Sequence, residues 1–361
     1  MTENRHGGDI YAEDLPAEPL DFSASINPLG MPEGVRRAAK QALSGCVHYP
    51  DPTCRALRQA IAQREQMDAD QIFCSNGAAD VLYRLLLALR PKKILLPAPT
   101  FAEYAQAATL VGSEIIRFPL QQSDCFAVPE RFWDAVTAEI DLVVVCNPNN
   151  PTGQAMPKWL VKKGIERCAA TGTRLLVDEC FYDFLDEPEQ HTVADGIIGN
   201  PQLIVLRSFT KMYAMPGLRL GYCLSSDICL LESLYDMGAP WSVSVIAQAC
   251  GVAAARDTEF PARTRQYIAR QRAYLQQGLQ ELGLFVVPGK ANFLLCKNEV
   301  IPDLTQEMRK KGVLIRSCSN FPGLDERWFR VAVRTDAENA ALLRTLRELK
   351  IQKEGVKLWQ R

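Results

Sequence analysis

Four apolar runs in the middle of the chain, "KKILLPAP", "DLVVVCNPNNPTG", "TRLLVDEC" and "QLIVLRSFTK", constrain the fold most. Each reads as a strand of continuous apolar residues that gives way to a polar or glycine-proline punctuated loop, with helical stretches between the runs. A strand that is apolar on both faces must be covered on both faces. That implies an α/β protein with a mostly parallel central sheet and helices on either side. Open sheets of this kind bind ligands in the crevice at the carboxyl ends of their strands. Asn150, Asp178 and Lys211 each follow the carboxyl end of a different run, so three strand ends point to one site.

The last third changes character. "RTRQYIARQRAYLQQGLQELG" reads as a long helix, and "FVVPGKANFLLCK", "GVLIRSC" and "WFRVAVR" as shorter strands, which together suggest a second, smaller α+β domain. The expected division is an N-terminal segment, 1–48, that contributes to the small domain, a large cofactor-binding domain, 49–250, and a small C-terminal domain, 251–361. A chain of 361 residues is long enough for two domains and a sizeable core. Lys and Arg number 41 against 42 Asp and Glu. This balance argues against nucleic acid or a membrane surface as partner. No apolar run approaches the ~20 residues needed to cross a bilayer. The 12 cysteines are scattered singly from Cys46 to Cys318 with no CxxC pair and no cysteine-histidine cluster, so neither a metal site nor a disulfide framework is expected. No apolar signal segment follows Met1, and reduced thiols in a cytoplasm are the expectation.

Chemistry first shows in "SFTKMYAMPGLRLGY", Ser208 to Tyr222. A lone lysine after a strand is usually a solvated charge. Here Ser208 and Thr210 flank Lys211 with hydroxyls, and a glycine-bracketed segment brings back Arg219. Hydroxyls, a guanidinium and glycines describe an anion site. An amine beside a bound anion suggests covalent chemistry on a phosphorylated aldehyde, with pyridoxal 5′-phosphate (PLP) the obvious candidate.

Other stretches supply what that cofactor needs, although each has an ordinary reading as well. "CNPNNPTG" presents Asn150 on a proline-bounded loop, and the same sequence is plain turn chemistry. In "LLVDECFYDF", Asp178 ends an apolar strand, where a buried carboxylate needs a cationic partner such as a pyridinium nitrogen; a cap or turn acid is the alternative. "CSNGAADVLYRLLLAL" turns through Asn76 into an amphipathic helix whose first amides, at Gly77, Ala78 and Ala79, suit a phosphate or are simply capped. Phe101 and Tyr104 in "PTFAEY" either stack on a pyridine ring or belong to the core.

The order of these motifs resembles that of the fold-type I PLP enzymes, the aspartate aminotransferase superfamily, over nearly the whole chain. The resemblance implies that Lys211 joins the cofactor aldehyde, and that Ser208, Thr210 and Arg219 hold its phosphate. It places Asn150 at the ring hydroxyl, Asp178 at the ring nitrogen and Phe101 on the ring face. Tyr49, in "HYPD", resembles a tyrosine that reaches the phosphate of a neighbouring subunit, which implies a homodimer; an interface or turn role is the alternative.

Within the superfamily the chain is similar to threonine-phosphate decarboxylases of cobalamin biosynthesis and to histidinol-phosphate aminotransferases. "RHGGDIY", "DFSASINPLGMP", "APWSVS", "DECFYDF" and "LIRSCSNFPGLDERWFRVAVR" all resemble the decarboxylases. The aminotransferases usually carry tyrosine where this chain has Phe181, and glycine where it has Arg334. The implied reaction is loss of carbon dioxide from O-phospho-L-threonine, or O-phospho-L-serine, to give from the former (R)-1-amino-2-propanol O-phosphate; the alternative is a histidinol-phosphate or related aminotransferase.

A strand period of two in "WFRVAVR" puts Arg330, Ala332 and Arg334 on one face, opposite the apolar Phe329, Val331 and Val333. The arginine face is expected to be exposed, and Arg316 adds a third guanidinium on a neighbouring strand. Three such groups repel one another unless anions bind between them. By resemblance Arg330 holds the substrate carboxylate, while Arg316, Arg334, His6 and Asn27 are candidates for the substrate phosphate and for closing the site.

Overall fold

The computed structural model describes residues 6–16 and 18–359; positions 1–5 of the expected N-terminal segment lie outside them. The chain enters through a short strand, β1 (Leu20–Asp21), and two helices, α1 (Glu33–Ala42) and α2 (Arg55–Glu65). Seven strands then build the central sheet: β2 (Ile72–Ser75), β3 (Lys93–Ala98), β4 (Glu114–Pro119), β5 (Leu142–Cys146), β6 (Arg174–Asp178), β7 (Leu203–Ser208) and β8 (Gly221–Leu224). Helices α3 (Ala78–Leu89), α4 (Ala102–Leu110), α5 (Lys158–Thr171) and α6 (Ile228–Asp236) are interleaved with them. The spatial order is β2-β8-β7-β6-β5-β3-β4, parallel except for β8, which runs antiparallel to both of its neighbours.

The four apolar runs are β3, β5, β6 and β7, and successive side chains divide between two cores. Val143, Val145, Leu175, Val177, Leu203 and Val205 enter one cluster. Leu142, Val144, Leu176, Ile204 and Leu206 enter the other. A strand with core on both sides gains nothing from polar alternation, hence the continuous apolar sequence. Strand β4 lies at the sheet edge, and its residues are exposed or half-buried, none fully buried. Helix α3 turns Val81, Leu82, Leu85 and Leu86 inward at three- and four-residue spacing.

Beyond the sheet come α7 (Val245–Arg256) and the 23-residue α8 (Glu259–Glu281). A four-stranded sheet follows, with order β12-β13-β10-β9, from β9 (Phe285–Val286), β10 (Phe293–Lys297), β12 (Arg316–Ser317) and β13 (Trp328–Ala332). Helix α9 (Leu304–Lys310), strand β11 (Val313–Leu314) and helix α10 (Asp336–Trp359) complete the chain. Strand β1 pairs in parallel with β11, which ties residues 20–21 to the C-terminal region. The expected boundary at 250/251 falls within α7 and not between elements. Nor do the cores separate: Phe293, Leu294, Leu295 and Val331 of the small sheet join the cluster that covers one face of the large one.

Candidate active site

A cavity of about 410 Å³ lies where β5, β6 and β7 end. Asn150, Asp178, Ser208, Thr210, Lys211 and Arg219 line it together with Ala78, Ala79, Phe101, Tyr104, His6 and Arg330. The three strand ends singled out in the sequence therefore converge.

Lys211 follows β7 in a short loop whose carbonyl accepts from the Asn27 backbone amide at 3.1 Å. Its amine has no hydrogen-bond partner among the described residues and lies 5.9 Å from the Phe181 ring centroid. Burial pushes the amine below its ordinary range, and Arg330 and Arg219 add to the effect. A larger neutral fraction makes the amine a better nucleophile.

Asp178 closes β6 and is 5% exposed. Its carboxylate accepts from the Tyr104 hydroxyl at 2.5 Å and from the Cys180 amide at 2.9 Å. Burial raises its pKa against the lowering effect of these donors. Tyr104 is thus a partner of the acid, while Phe101 remains as the aromatic candidate for a ring face, set edge-on to Tyr104 at 5.6 Å.

Asn150 is held by a loop that folds back on itself: the Asn149 side chain takes Thr100 Oγ1, the Pro99 carbonyl and Thr152 Oγ1. Its Oδ1 accepts from Arg330 Nη1 at 2.5 Å. The Nδ2 donor has no partner among the described residues.

At the other end of the cavity the Ser208 and Thr210 hydroxyls lie 2.6 Å apart. The α3 N-terminus approaches them through Gly77, which has φ +91°, a conformation costly for any side chain. A Cβ at Gly77 would stand 2.7 Å from Arg219 Nη2, and one at Gly221 would stand 2.3 Å from the Ala78 nitrogen. Helix amides, two hydroxyls and a guanidinium are thereby crowded into an anion cradle.

The arginine face departs from its expected exposure. Every residue of β13 is buried, and Arg330 is 8% exposed with its guanidinium 4.9 Å from the Phe293 ring. Val331 is buried in the core and Arg330, on the opposite face, is buried at the cavity, so the period of two gave the faces but not their surroundings. Arg330 Nη2 donates to the Ser23 carbonyl at 3.0 Å, whereas Nε is buried with no partner among the described residues. Burial pushes this guanidinium down to about 10, and Arg316 adds to the effect.

Arg334 lies beyond the strand end and pairs with Glu338 at 2.6 Å, outside the cavity lining. Arg316 faces Arg330 across the β12–β13 ladder but gives Nη2 to Asn320 at 2.9 Å, also outside the lining. Asn27 is buried, with Nδ2 on the Met212 carbonyl at 2.7 Å and Thr264 Oγ1 at 2.9 Å, and so braces the Lys211 loop. His6 reaches the cavity and lies 3.0 Å from Glu103. Tyr49 is 78% exposed and stacks on Trp241 at 4.4 Å, away from the cavity. Glu103, Ser23, Cys146 and Cys180 also line the site, and nothing in their local sequence marks them.

Residues 17–346 match the family model for aminotransferase class I and II. The chain is 38% identical to the threonine-phosphate decarboxylase of Salmonella typhimurium over 357 residues, 97% of each chain. It is 34% identical over 334 residues to the histidinol-phosphate aminotransferase of Symbiobacterium thermophilum, covering 91% of this chain and 90% of that one. Among solved structures, the histidinol-phosphate aminotransferase of Clostridium acetobutylicum superposes with a TM-score of 0.86 at 27% identity, over 92% of this chain and 99% of that one. The fold, the convergent site and these similarities lead to one conclusion: the chain belongs to the class I and II aminotransferase family.

Proposed function

We propose that the protein binds PLP and decarboxylates O-phospho-L-threonine, or O-phospho-L-serine, as a cytoplasmic homodimer serving cobalamin biosynthesis. The observation that carries the reading is a single cavity with a reactive amine, Lys211, at one wall and a buried guanidinium with an unpartnered Nε, Arg330, at another. The 38% identity to the Salmonella decarboxylase over 97% of both chains favours decarboxylation over transamination.

The residues fit the cofactor. Ser208, Thr210, Arg219 and the first amides of α3 suit its phosphate, Asn150 Nδ2 its ring hydroxyl, and Phe101 its ring face. Asp178, with only neutral donors within hydrogen-bonding distance, suits a protonated ring nitrogen. When bound, PLP supplies a ring that accepts the electrons left by a breaking bond at the substrate α-carbon.

The chain does the remainder. Arg330 binds the substrate carboxylate through its free Nε edge, and its bond to Asn150 ties that anchor to the cofactor loop. Lys211, with its lowered proton affinity, carries the proton that the α-carbon takes up after carbon dioxide leaves. The exposed Tyr49–Trp241 pair is a surface for a second copy, through which Tyr49 contributes to the neighbouring phosphate cradle.

The test is to incubate the purified holoenzyme with O-phospho-L-threonine in the absence of any 2-oxo acid and to measure carbon dioxide. Release is expected, and Lys211→Ala should abolish it. Glutamate formation from histidinol phosphate and 2-oxoglutarate, with no carbon dioxide from O-phospho-L-threonine, would assign the aminotransferase activity instead.

A further inference from the structure

Glu103 is out of place on charge grounds. It lines a cavity read as taking two anions, yet it is itself an acid only 8% exposed. A carboxylate there repels a phosphate unless a cation stands against it. A histidine stands against it: His6 Nε2 lies 3.0 Å from Glu103 Oε1, while the Tyr83 hydroxyl donates to Oε2 at 2.8 Å. Burial and the bond to Glu103 push the Tyr83 phenol up to about 12, so it stays a donor.

The histidine belongs to a strap laid across the cavity wall. The Gly8 amide donates to Ser23 Oγ at 2.7 Å, and a Cβ on Gly7 would stand 2.3 Å from the Ser23 carbonyl oxygen. That same carbonyl accepts from Arg330 Nη2. The strap thus meets the cavity at two places, at the guanidinium assigned to the substrate carboxylate and at Glu103, one residue before the partner of Asp178.

We propose that Glu103 is a specificity-determining positioning residue: it seats and orients His6 toward the substrate's phosphate, and it repels that phosphate when the strap is unseated. This rests on the phosphorylated-substrate reading above. A carboxylate on one ring nitrogen fixes a histidine's orientation. Phosphate affinity is thereby made conditional on strap closure, while an unphosphorylated amino acid gains nothing from the pair.

The experiment is a double-mutant cycle on the holoenzyme with Glu103→Gln, His6→Ala and the combination. Binding of O-phospho-L-threonine and of L-threonine is read from the cofactor absorbance change, and hydrogen exchange is followed across residues 7–10. Glu103→Gln should weaken O-phospho-L-threonine about 10- to 100-fold, the range for one charge-assisted contact, and leave L-threonine within about twofold. Exchange at Gly8 should quicken. In the His6→Ala background Glu103→Gln should cost nothing further, because the acid acts through the histidine. Equal loss for both ligands, or a full additional loss on top of His6→Ala, would overturn the proposal. If the unaltered protein does not prefer O-phospho-L-threonine over L-threonine, the substrate reading has failed instead; an unchanged exchange rate in Glu103→Gln would then still refute the seating of the strap.

Discussion

The two sides of the cavity are built in different ways. On the cofactor side, Asp178 and Ser208 end adjacent parallel strands, and Asn150 and Lys211 follow within a few residues of β5 and β7. The ladders Val145↔Val177 and Val177↔Val205 lock these ends together, and core covers both faces. On the substrate side, Arg330 sits on a five-residue strand and meets Ser23 across 307 residues of sequence, and His6 arrives on a strap. Paired core strands open only near the global unfolding free energy, whereas segments held by single side-chain contacts open far more readily. Geometry should therefore be constant on the first side and adjustable on the second at the strap that carries His6, since β13 is itself paired with β10 and β12.

The largest expected effect lies on the constant side. Asp178→Asn removes the charge opposite a protonated ring nitrogen, and loss of one member of a buried ion pair costs about 3 to 5 kcal/mol, roughly 150- to 5,000-fold in PLP affinity. Titration of the apoprotein with PLP measures it, alongside urea unfolding of the apoprotein. Because burial already disfavours the carboxylate, unfolding should barely change. Unaltered PLP affinity would make Asp178 a structural turn acid and remove the contrast.

Arg330→Lys probes the second side. A lysine keeps the charge but cannot present the Nη edge to Asn150 and Ser23 together with an Nε edge to a carboxylate. Losing about 1.5 to 3 kcal/mol of charge-assisted contact corresponds to roughly 10- to 150-fold in kcat/KM, with PLP affinity close to that of the unaltered protein. If instead PLP affinity falls and KM does not, Arg330 belongs to the cofactor side through Asn150.

This contrast also explains what could be read from sequence. The convergence of Asn150, Asp178 and Lys211 was legible because each ends or directly follows a continuous apolar strand, and a parallel sheet brings such ends together. Strand β8 was not, since Gly221–Leu224 is four residues long behind a glycine-rich loop. The burial of Arg330 was missed because alternation reports which residues share a face, not what packs against it. The pairing of Arg334 with Glu338 belongs to the first turn of α10 and breaks the face that its spacing implied. His6 and Glu103 are 97 residues apart with no shared pattern, so their contact exists only once the strap and α4 are folded.

The smallest expected effect tests whether the cofactor side is as rigidly specified as the ladders suggest. Tyr104 is 1% exposed, and its hydroxyl donates to Asp178 at 2.5 Å. Desolvation raises the carboxyl above its ordinary 3.8, and the tyrosine is among the donors that pull it back down. Tyr104→Phe removes that donor, so the pKa rises further. Asp178 is charged only above its pKa; a higher value therefore extends the protonated range upward in pH, and a protonated acid cannot pair with a cationic ring nitrogen. PLP affinity of the variant should fall about 10-fold near pH ~5.5, and by only about twofold near pH ~8, on the scale of one lost hydrogen bond to a charged group. The ratio of dissociation constants at the two pH values, compared with that of the unaltered protein, is the quantity to measure. A weakening of the same size at both would mean that Tyr104 only fills space beside Asp178, and that the ladders alone hold the acid in its working state.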